Sequence, residues 1–360
     1  MDYDDWLFES IRRYDKLSMY HINGLVTATD WVNAKGMLVA TDSGTSSKHE
    51  LMELHLPDKI IDDDISLSKD RDFRVASGCF TDRKVNCVRH IPGTRNCVLA
   101  KDGTAAIEMY EMGDNSSNLI KPAPGRVISL DHEHNTAGRS VKISNLQGRN
   151  AVVGYNTGGL KIVDVETFQL VHNMKNLEGM VPPTQQISDI HLNNNSTAFC
   201  CTDNGTVLQF DIREKSQCSC KTLKSYKPEC HWRLAVSDKH IWLASSAGDV
   251  LCACVEDMQD IQSLSIEQPW TTHKDVCSHL CIQSNNDGRK FSISGFDGNV
   301  YVYQMVDQHC RLEFVHDGHV MNRDDQTESI SVLQHVWFPD SQDQVVSMAT
   351  DGSLHAWKHR

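Results

Sequence analysis

The sequence predicts an all-β fold, a seven-bladed β-propeller in which every blade is a four-stranded sheet. Three observations support this prediction. A short glycine-containing turn between two alternating strand-like runs recurs seven times along the 360 residues. About two further strand-like runs separate each turn from the next. Helical periodicity is almost absent after the N-terminus, which argues against a doubly wound α/β fold, because that fold needs long amphipathic helices between its strands.

The recurring turn consists of an apolar run, a small or polar residue, a glycine and a second alternating run. Its glycines lie 43 to 59 residues apart, at Gly44, Gly103, Gly158, Gly205, Gly248, Gly298 and Gly352. Asp-Gly and Asn-Gly pairs adopt the positive φ angles that a two-residue hairpin turn requires. Repeats of this length with four strands each are typical of propeller blades.

The first fifteen residues are predicted to form a short helix, "DWLFESIRRY", ahead of the propeller. Asp4 or Asp5 is the expected N-cap. Helical spacing places three apolar residues on one face: Leu7, Ile11 and Tyr14. Two interpretations are open. The helix is a lid packed on the propeller rim, or it is a docking element for a partner.

The propeller is predicted to span residues 16–360. The last blade has only three strand-like runs in the C-terminal part of the chain, "SISVLQHVWF", "QVVSMAT" and "LHAWKH". An edge of unpaired backbone groups would remain beside Trp357. We expect residues 16–22, "KLSMYHI", to add the fourth strand and so close the ring of blades.

The chain is acidic, with 48 aspartate and glutamate residues, 35 lysine and arginine residues, and a formal net charge of −13. Such a surface repels phosphate backbones, so direct nucleic-acid binding is disfavoured. The N-terminal stretch lacks the basic start and apolar run of a secretion signal, and no window reaches the length of a membrane span. We therefore expect a soluble intracellular protein that makes no membrane contact.

Thirteen cysteines in a chain without a secretion signal predict buried, reduced thiols. A zinc site is the alternative, and the nearest approach to one is the set Cys218, Cys220, Cys230 and His231. Their spacing does not give two ligand pairs with short regular gaps. No metal and no other cofactor is therefore expected.

The last blade contains a recognisable motif. "VHDGHV" places a Gly-His pair ahead of Trp357, which lies 38 residues after His319. This resembles the Gly-His and Trp-Asp ends of a WD repeat, although Lys358 stands where the aspartate is usual. The resemblance implies a structural hydrogen-bonded tetrad formed by His319, Ser347, Asp351 and Trp357. A catalytic His-Asp-Ser group is the alternative, but nothing in the sequence activates the hydroxyl toward a cleft.

Five stretches resemble the WD repeat-containing protein 73 family more closely than WD-repeat proteins in general: "DDWLFESIRRYD", "RDFRVASGCFTDR", "AFCC", "ISGFDGNVYVY" and "TDGSLHAW". The resemblance implies a cytoplasmic, non-enzymatic scaffold that is a monomeric subunit of a hetero-complex. It also implies a role in assembling the endonuclease module of the Integrator complex, by binding its paired metallo-β-lactamase-type subunits. An alternative from the same resemblance is a regulator of microtubule and spindle organisation, with tubulin or spindle proteins as partners and a spindle-pole location in mitosis.

Insertions beyond a minimal blade are the expected places for partner contacts. The insertion "LPDKIIDDDISLSKDRDF" joins the third and fourth strands of the first blade and contains three consecutive acids, Asp62, Asp63 and Asp64. These carboxylates could meet a basic patch on a partner. The alternative is a solvated loop.

Two other function classes are alternatives to the scaffold, an enzyme and a ubiquitin-ligase receptor. A glycosidase-type propeller needs two carboxylates on its innermost strands, and those strands offer only Asp189. The loop "DHEHN", with His132 and His134, lacks the helical spacing of a metalloprotease motif. A substrate receptor of a cullin-type ubiquitin ligase is suggested by "FDIR", in which Arg213 closes a degenerate Trp-Asp-x-Arg signature.

Overall fold

The computed structural model shows the predicted seven-bladed β-propeller, preceded by one N-terminal helix. It describes residues 3–44, 48–61, 72–114, 117–130, 140–174, 181–194, 196–213, 218–223, 230–258, 260–270, 279–306, 309–320 and 330–360. Every blade is an antiparallel sheet of four strands. The alternating apolar and polar residues of the repeats account for this, because each blade buries both of its faces except at the outer strand.

The strands of the first four blades follow one another in chain order. Blade one contains β2 (Leu25–Asn33), β3 (Gly36–Asp42), β4 (His49–His55) and β5 (Arg74–Thr81). Blade two contains β6 (Val85–His90), β7 (Asn96–Lys101), β8 (Ala106–Glu111) and β9 (Lys121–Ser129). Blade three contains β10 (Lys142–Ile143), β11 (Asn150–Gly154), β12 (Lys161–Asp164) and β13 (Gln169–Asn173). Blade four contains β14 (Ile187–Asn193), β15 (Thr197–Thr202), β16 (Thr206–Asp211) and β17 (Cys218–Thr222).

The last three blades include the one departure from chain order. Blade five contains β18 (Trp232–Val236), β19 (His240–Ser245), β20 (Val250–Cys254) and β21 (Gln262–Ser263). Blade six contains β22 (Cys281–Ser284), β23 (Lys290–Ser294), β24 (Val300–Val306) and β25 (His309–His316). Blade seven contains β26 (Val332–Trp337), β27 (Gln344–Ala349), β28 (Ser353–His359) and, outermost, β1 (Tyr14–His21).

The predicted completion of the last blade by an N-terminal strand is confirmed. β1 pairs antiparallel with β28, and the register places Leu17 opposite Trp357. The backbone N–H of Ile22 continues the ladder by donating to the carbonyl of Gly352 at 2.8 Å. The edge of β28 is therefore covered by residues from the other end of the chain.

The turns differ from the predicted two-residue hairpins. Three residues separate β15 from β16 and β27 from β28, and the glycine that ends each loop has a positive φ, 78° for Gly205 and 83° for Gly352. This is the three-residue loop in which a left-handed residue restores the ladder. Gly158 instead lies in a 3₁₀ helix, Thr157–Gly159, and Gly298 has no positive φ.

Two compact units divide the chain. The first comprises Met1–Val26, Leu56–Phe73 and Ala235–Arg360, and the second comprises Thr27–His55 and Arg74–Leu234. The first unit has one apolar cluster around Trp242, Phe291 and Tyr303, and a second around the last blade. The second unit has its apolar clusters between the successive sheets of blades one to four.

Helices are few within the residues that the structure describes, as predicted. α1 (Tyr3–Arg13) precedes β1, and α2 (Asp58–Ile61) is a four-residue turn of helix that the sequence did not reveal. α2 lies in the first-blade insertion but packs on the last blade, where the carbonyl of Ile60 accepts bonds from Lys16 Nζ at 3.1 Å and Gln344 Nε2 at 2.9 Å. No helix within the described residues is long and apolar enough to cross a membrane.

Candidate functional site

α1 is fixed through one face to the end of β25, the outer strand of blade six. Trp6 is fully buried, and its indole N–H donates to Asp317 Oδ1 at 2.8 Å. Arg13 at the other end of the helix donates to Asp317 Oδ2 at 2.9 Å and to the carbonyl of Val315 at 2.5 Å. Because a single carboxylate accepts from both ends of the helix, α1 has a defined orientation on the blade.

The opposite face of α1 is apolar and exposed. Phe8 is 70% exposed, Ile11 66% and Leu7 38%. We name these three residues the displayed face of α1. Large apolar side chains grouped in this way on a soluble protein commonly mark a binding surface.

Of the three apolar residues predicted to lie on one helical face, Leu7 and Ile11 share a face of α1 that is exposed, whereas Tyr14 is buried and belongs to β1. Trp6 supplies the anchor instead, because Asp317 offers its indole N–H a partner. The helix begins at Tyr3, so Asp4 and Asp5 lie in its first turn and not at the N-cap position. In the first turn their negative charges still interact favourably with the helix dipole.

A groove of about 540 Å³ runs between α1 and β1. Leu7 and Ile11 form its helical wall, and its remaining lining is contributed by Ser10, Tyr14, Asp15, Leu17, Ser18, Met19, Tyr20, Asp72 and Arg360. The displayed face of α1 and this groove form one continuous surface, since Leu7 and Ile11 belong to both.

Beneath α1, Tyr14 connects the N-terminal strand to a group of buried histidines. Its hydroxyl lies 2.8 Å from His316 Nδ1, and His316 Nε2 lies 3.1 Å from His355 Nδ1. Burial raises the pKa of Tyr14 far above its usual range and lowers the pKa of His316 well below its own. Burial also lowers the pKa of His355 to about 4. These rings are therefore neutral at physiological pH.

The structure brings the four predicted tetrad residues into one chain of hydrogen bonds through a fifth residue, Ser353. Trp357 Nε1 donates to Ser347 Oγ at 3.1 Å, and Ser347 Oγ lies 2.8 Å from His319 Nε2. His319 Nδ1 lies 2.7 Å from Ser353 Oγ, which donates to Asp351 Oδ1 at 2.5 Å. The sequence did not indicate Ser353, because it occupies the first position of β28 and no motif marks it.

The two end residues of this hydrogen-bonded series determine which group donates and which accepts in each bond. The indole of Trp357 can only donate and the carboxylate of Asp351 can only accept. Ser353 must therefore donate to Asp351, which leaves its oxygen to accept from His319 Nδ1–H. His319 Nε2 then accepts from the Ser347 hydroxyl. With Ser347 and His319 at most 1% exposed, the group ties strands together and has no access to a substrate.

A second set of the same chemistry joins blades six and seven. Trp337 Nε1 donates to Ser292 Oγ at 2.9 Å, and His335 Nε2 lies 2.7 Å from the same oxygen. His335 Nδ1 lies 2.7 Å from Ser294 Oγ. Burial lowers the pKa of His335 to about 3. The sequence offered only "SIS" and "HVW" as signals, and these do not reveal a contact between separate blades.

Three histidines, His316, His319 and His355, form the only group within the described residues whose ring nitrogens are close enough to suggest a metal ion, all within 4.8 Å of one another. The rings of His319 and His355 are stacked, with centroids 3.9 Å apart and planes 6° apart. Lone pairs lie in the plane of an imidazole, so two stacked rings do not aim them at one point. Both nitrogens of His319 also face serine hydroxyls. The geometry favours a hydrogen-bonded core.

Carboxylates on the innermost strands bond to backbone rather than facing each other across a cleft. Asp189 accepts from the N–H of Leu234 at 3.0 Å, and Asp30, which the sequence reasoning overlooked, accepts from that of His90 at 2.7 Å. Asn145 repeats the contact with the N–H of Leu192 at 2.7 Å. In each case a side chain of one blade holds the first strand of the next.

The other predicted contact residues are placed as follows. Arg213 lies just beyond β16, where its guanidinium pairs with both carboxylate oxygens of Asp211 at 3.0 and 2.6 Å and is 70% exposed. Asp62, Asp63 and Asp64 lie outside the described residues, as do His132 and His134. No disulfide joins any cysteine whose side chain is described, Cys220 and Cys230 included.

Comparison with known proteins gives full-length relatives. No family model matches the chain. The chain is 27% identical over 375 residues to "Integrator complex assembly factor WDR73" of Danio rerio, covering 98% of the chain and 96% of that protein. The proteins of the same description from Mus musculus and Homo sapiens are 27% and 24% identical, with 98% of the chain and 97% of each relative covered. The predicted resemblance to WD repeat-containing protein 73 is confirmed, and with the propeller fold it supports a scaffold or assembly role.

Proposed function

We propose, from this full-length resemblance, that the chain is a non-enzymatic scaffold that assists assembly of the Integrator complex and docks its partner on the displayed face of α1. The observation that carries the proposal is the exposure of Phe8 and Ile11 on a helix whose other face is fixed by Trp6 and Arg13. A rigidly held apolar surface is the arrangement that a protein-binding scaffold needs.

The geometry explains why such a surface would bind efficiently. Ordering a flexible segment costs free energy at the moment of association, and a segment that is already held avoids that cost. Burying Phe8 and Ile11 in a partner would contribute about 2 kcal/mol for each side chain. Both anchoring bonds of α1 lie on the side away from the displayed face, so a partner can cover that face without breaking them.

The partner that we propose is the endonuclease module of Integrator, bound through its paired metallo-β-lactamase-type subunits. The description of the relatives as Integrator assembly factors supports it. The negative charge of the chain also indicates which kind of partner surface it can bind. With a net charge of −13, and with Asp5 and Glu9 exposed beside Phe8, the surface fits a partner that has basic side chains around an apolar patch. Asp62, Asp63 and Asp64 are proposed to meet a basic patch of the partner. Such assembly would take place in the cytoplasm.

The test is binding of the purified full chain to the purified subunit pair, measured as a dissociation constant. The double variant Phe8→Ser/Ile11→Ser is expected to bind about a thousandfold more weakly, the loss that corresponds to about 4 kcal/mol for the two side chains. Phe80→Ser/Val127→Ser is the matched control, because Phe80 is 65% and Val127 58% exposed on other blades. The control is expected to bind like the wild type.

Three results would overturn the proposal. Failure of the wild-type chain to bind the subunit pair would remove the assembly role. Enrichment of tubulin without endonuclease subunits, when the tagged chain is captured from cytosol, would favour the microtubule role instead. Capture of a cullin-ligase adaptor that is lost in Arg213→Ala would favour the receptor role.

A further inference from the structure

The outer edge of β1 carries unpaired backbone groups at alternate residues. Ile22 N–H donates to the carbonyl of Gly352, and the two residues stand opposite each other, one step beyond the His21–Ser353 pair. Hydrogen-bonded and non-hydrogen-bonded pairs alternate along an antiparallel ladder. Tyr20 and Ser18 therefore bond to β28, while the N–H and C=O groups of the residues between them point away from it.

The outward-pointing groups belong to Leu17, Met19 and His21. Within the residues that the structure describes, none of these six backbone groups has a partner. β1 is the last strand of its sheet, so nothing in the sheet itself continues the ladder. In the described part of the chain, this edge offers three positions at strand spacing as a template for one more strand.

The fold covers a comparable edge elsewhere with its own chain. On β5, the outer strand of blade one, Gly78 donates to the carbonyl of Asn118 at 3.0 Å and accepts from the N–H of Ile120 at 3.1 Å. The covering residues belong to the loop between β8 and β9. An added strand segment is thus an arrangement that the outer edges of these blades accept.

The edge of β1 has a shaped groove beside it. The groove of about 540 Å³ follows β1 from Tyr14 to Tyr20. Leu7 and Ile11 form an apolar wall, and Met19 is 37% exposed. Asp72 at the rim makes no ion pair within the described part of the chain. The site combines backbone donors and acceptors, apolar contacts and one free carboxylate.

We propose that this groove accepts an extended segment of the partner protein, which adds to β1 as a fifth strand of the last blade. Strand addition pairs the main chain of the segment with Leu17, Met19 and His21, and the wall of α1 selects apolar side chains at alternate positions. A lysine or arginine of the segment is expected to pair with Asp72. The proposal rests on the proposed function, because it names how the same partner binds.

The test is hydrogen exchange of the full chain, at single-residue resolution, with and without the purified metallo-β-lactamase-type subunit pair. The amides of Leu17, Met19 and His21 are expected to exchange at least about tenfold more slowly in the complex, because strand addition protects them. The amides of Ser18 and Tyr20 already bond to β28, so their exchange is expected to change little.

A proline at position 19 provides the matching variant. Proline has no N–H, and on an edge strand it is tolerated where that N–H faces outward. Met19→Pro is therefore expected to retain the thermal midpoint of the wild type but to bind the subunit pair at least about tenfold more weakly, since a backbone bond is lost and the ring obstructs the added strand. Met19→Ala removes only the side chain and is expected to bind within about threefold of the wild type.

The outcomes separate this inference from the proposed function. Wild-type affinity in Met19→Pro together with unprotected edge amides would overturn strand addition and leave the assembly role standing. Absence of binding by the wild-type chain would overturn both. A third outcome is that the same amides become protected without the subunit pair, and more so at higher protein concentration. The added strand would then come from a second copy of this chain, which would overturn the partner strand. If Met19→Pro fails to fold, the exchange measurement on the wild type decides alone.

Discussion

Acidification is expected to destabilise the protein strongly, because four buried histidine rings are held neutral. Burial lowers the pKa of His335 to about 3 and of His355 to about 4, and it lowers the pKa of His316 and His319 well below the ordinary value. In the unfolded chain each ring binds a proton below about pH 6.5. The unfolded state therefore binds more protons than the folded state, and a falling pH favours it.

The size of the destabilisation follows from the difference between the histidine pKa values in the unfolded and folded states. At about pH 5, each ring whose folded pKa lies below that pH costs about 2 kcal/mol of folding free energy. His335 and His355 together account for about 4 kcal/mol, and His316 and His319 act in the same direction. Above about pH 6.5 both states hold these histidines neutral, so the stability is at its full value. As the pH falls toward about 4, protonation of the unfolded chain removes that stability. It is a large part of the roughly 5–15 kcal/mol by which typical domains are stable.

Urea unfolding followed by tryptophan fluorescence at about pH 7.5, 6.5, 5.5 and 5.0 measures the effect. The free energy of unfolding is expected to fall by at least about 4 kcal/mol across the series. His335→Gln is expected to reduce this fall by about 2 kcal/mol, because glutamine does not titrate. His309→Gln changes an exposed ring and serves as the control. A free energy of unfolding that stays constant between pH 7.5 and 5.0 would refute the reasoning.

Three further perturbations test the fold. Arg95→Ala is expected to cost about 3 kcal/mol in urea unfolding, because it leaves the fully buried carboxylate of Glu53 without its bidentate partner. Gly205→Ala is expected to cost more than about 1 kcal/mol, since a Cβ at φ +78° would lie 2.7 Å from the ring of Trp232. Deletion of residues 1–22 is expected to lower the thermal midpoint by at least about 5 °C, because it uncovers the edge of β28.

Matched controls sharpen these expectations. Arg12→Ala removes an arginine that is 80% exposed, and it should change the free energy of unfolding by less than about 0.5 kcal/mol. Gly93→Ala introduces a Cβ at φ +75° with no atom within 4 Å, so it isolates backbone strain from steric overlap. Equal losses for Gly93→Ala and Gly205→Ala would contradict the contact with Trp232. An unchanged midpoint after the deletion would contradict the closure of the last blade.

The blade count and the closure could be predicted because both depend on local patterns. The spacing of seven glycines reports the repeat directly, and the three strand-like runs after Gly318 leave the last blade one strand short. The number of blades did not depend on the turn type, so the error over two-residue hairpins left it unaffected. The turn itself is set by how the ladder restarts after the loop, which sequence alone does not fix.

The orientation of α1 could not be predicted, because it depends on a contact between distant parts of the chain. Trp6 and Asp317 are separated by 311 residues. Apolar residues lie on several sides of the α1 axis, so periodicity alone did not identify which face is buried. The long-range hydrogen bond from Trp6 to Asp317 determines it. The same reason hid the bonds of His335 to Ser292 and Ser294, which join different blades.

Site-specific photocrosslinking measures whether the displayed face of α1 contacts the endonuclease subunits, as we propose. A photoreactive phenylalanine analogue replaces Phe8 in one sample and the equally exposed Phe80 in another, and each is irradiated with the purified subunit pair. We expect a crosslink to the metallo-β-lactamase-type subunits from position 8 and none from position 80. Equal crosslinking from both positions, or crosslinking from position 80 alone, would contradict it.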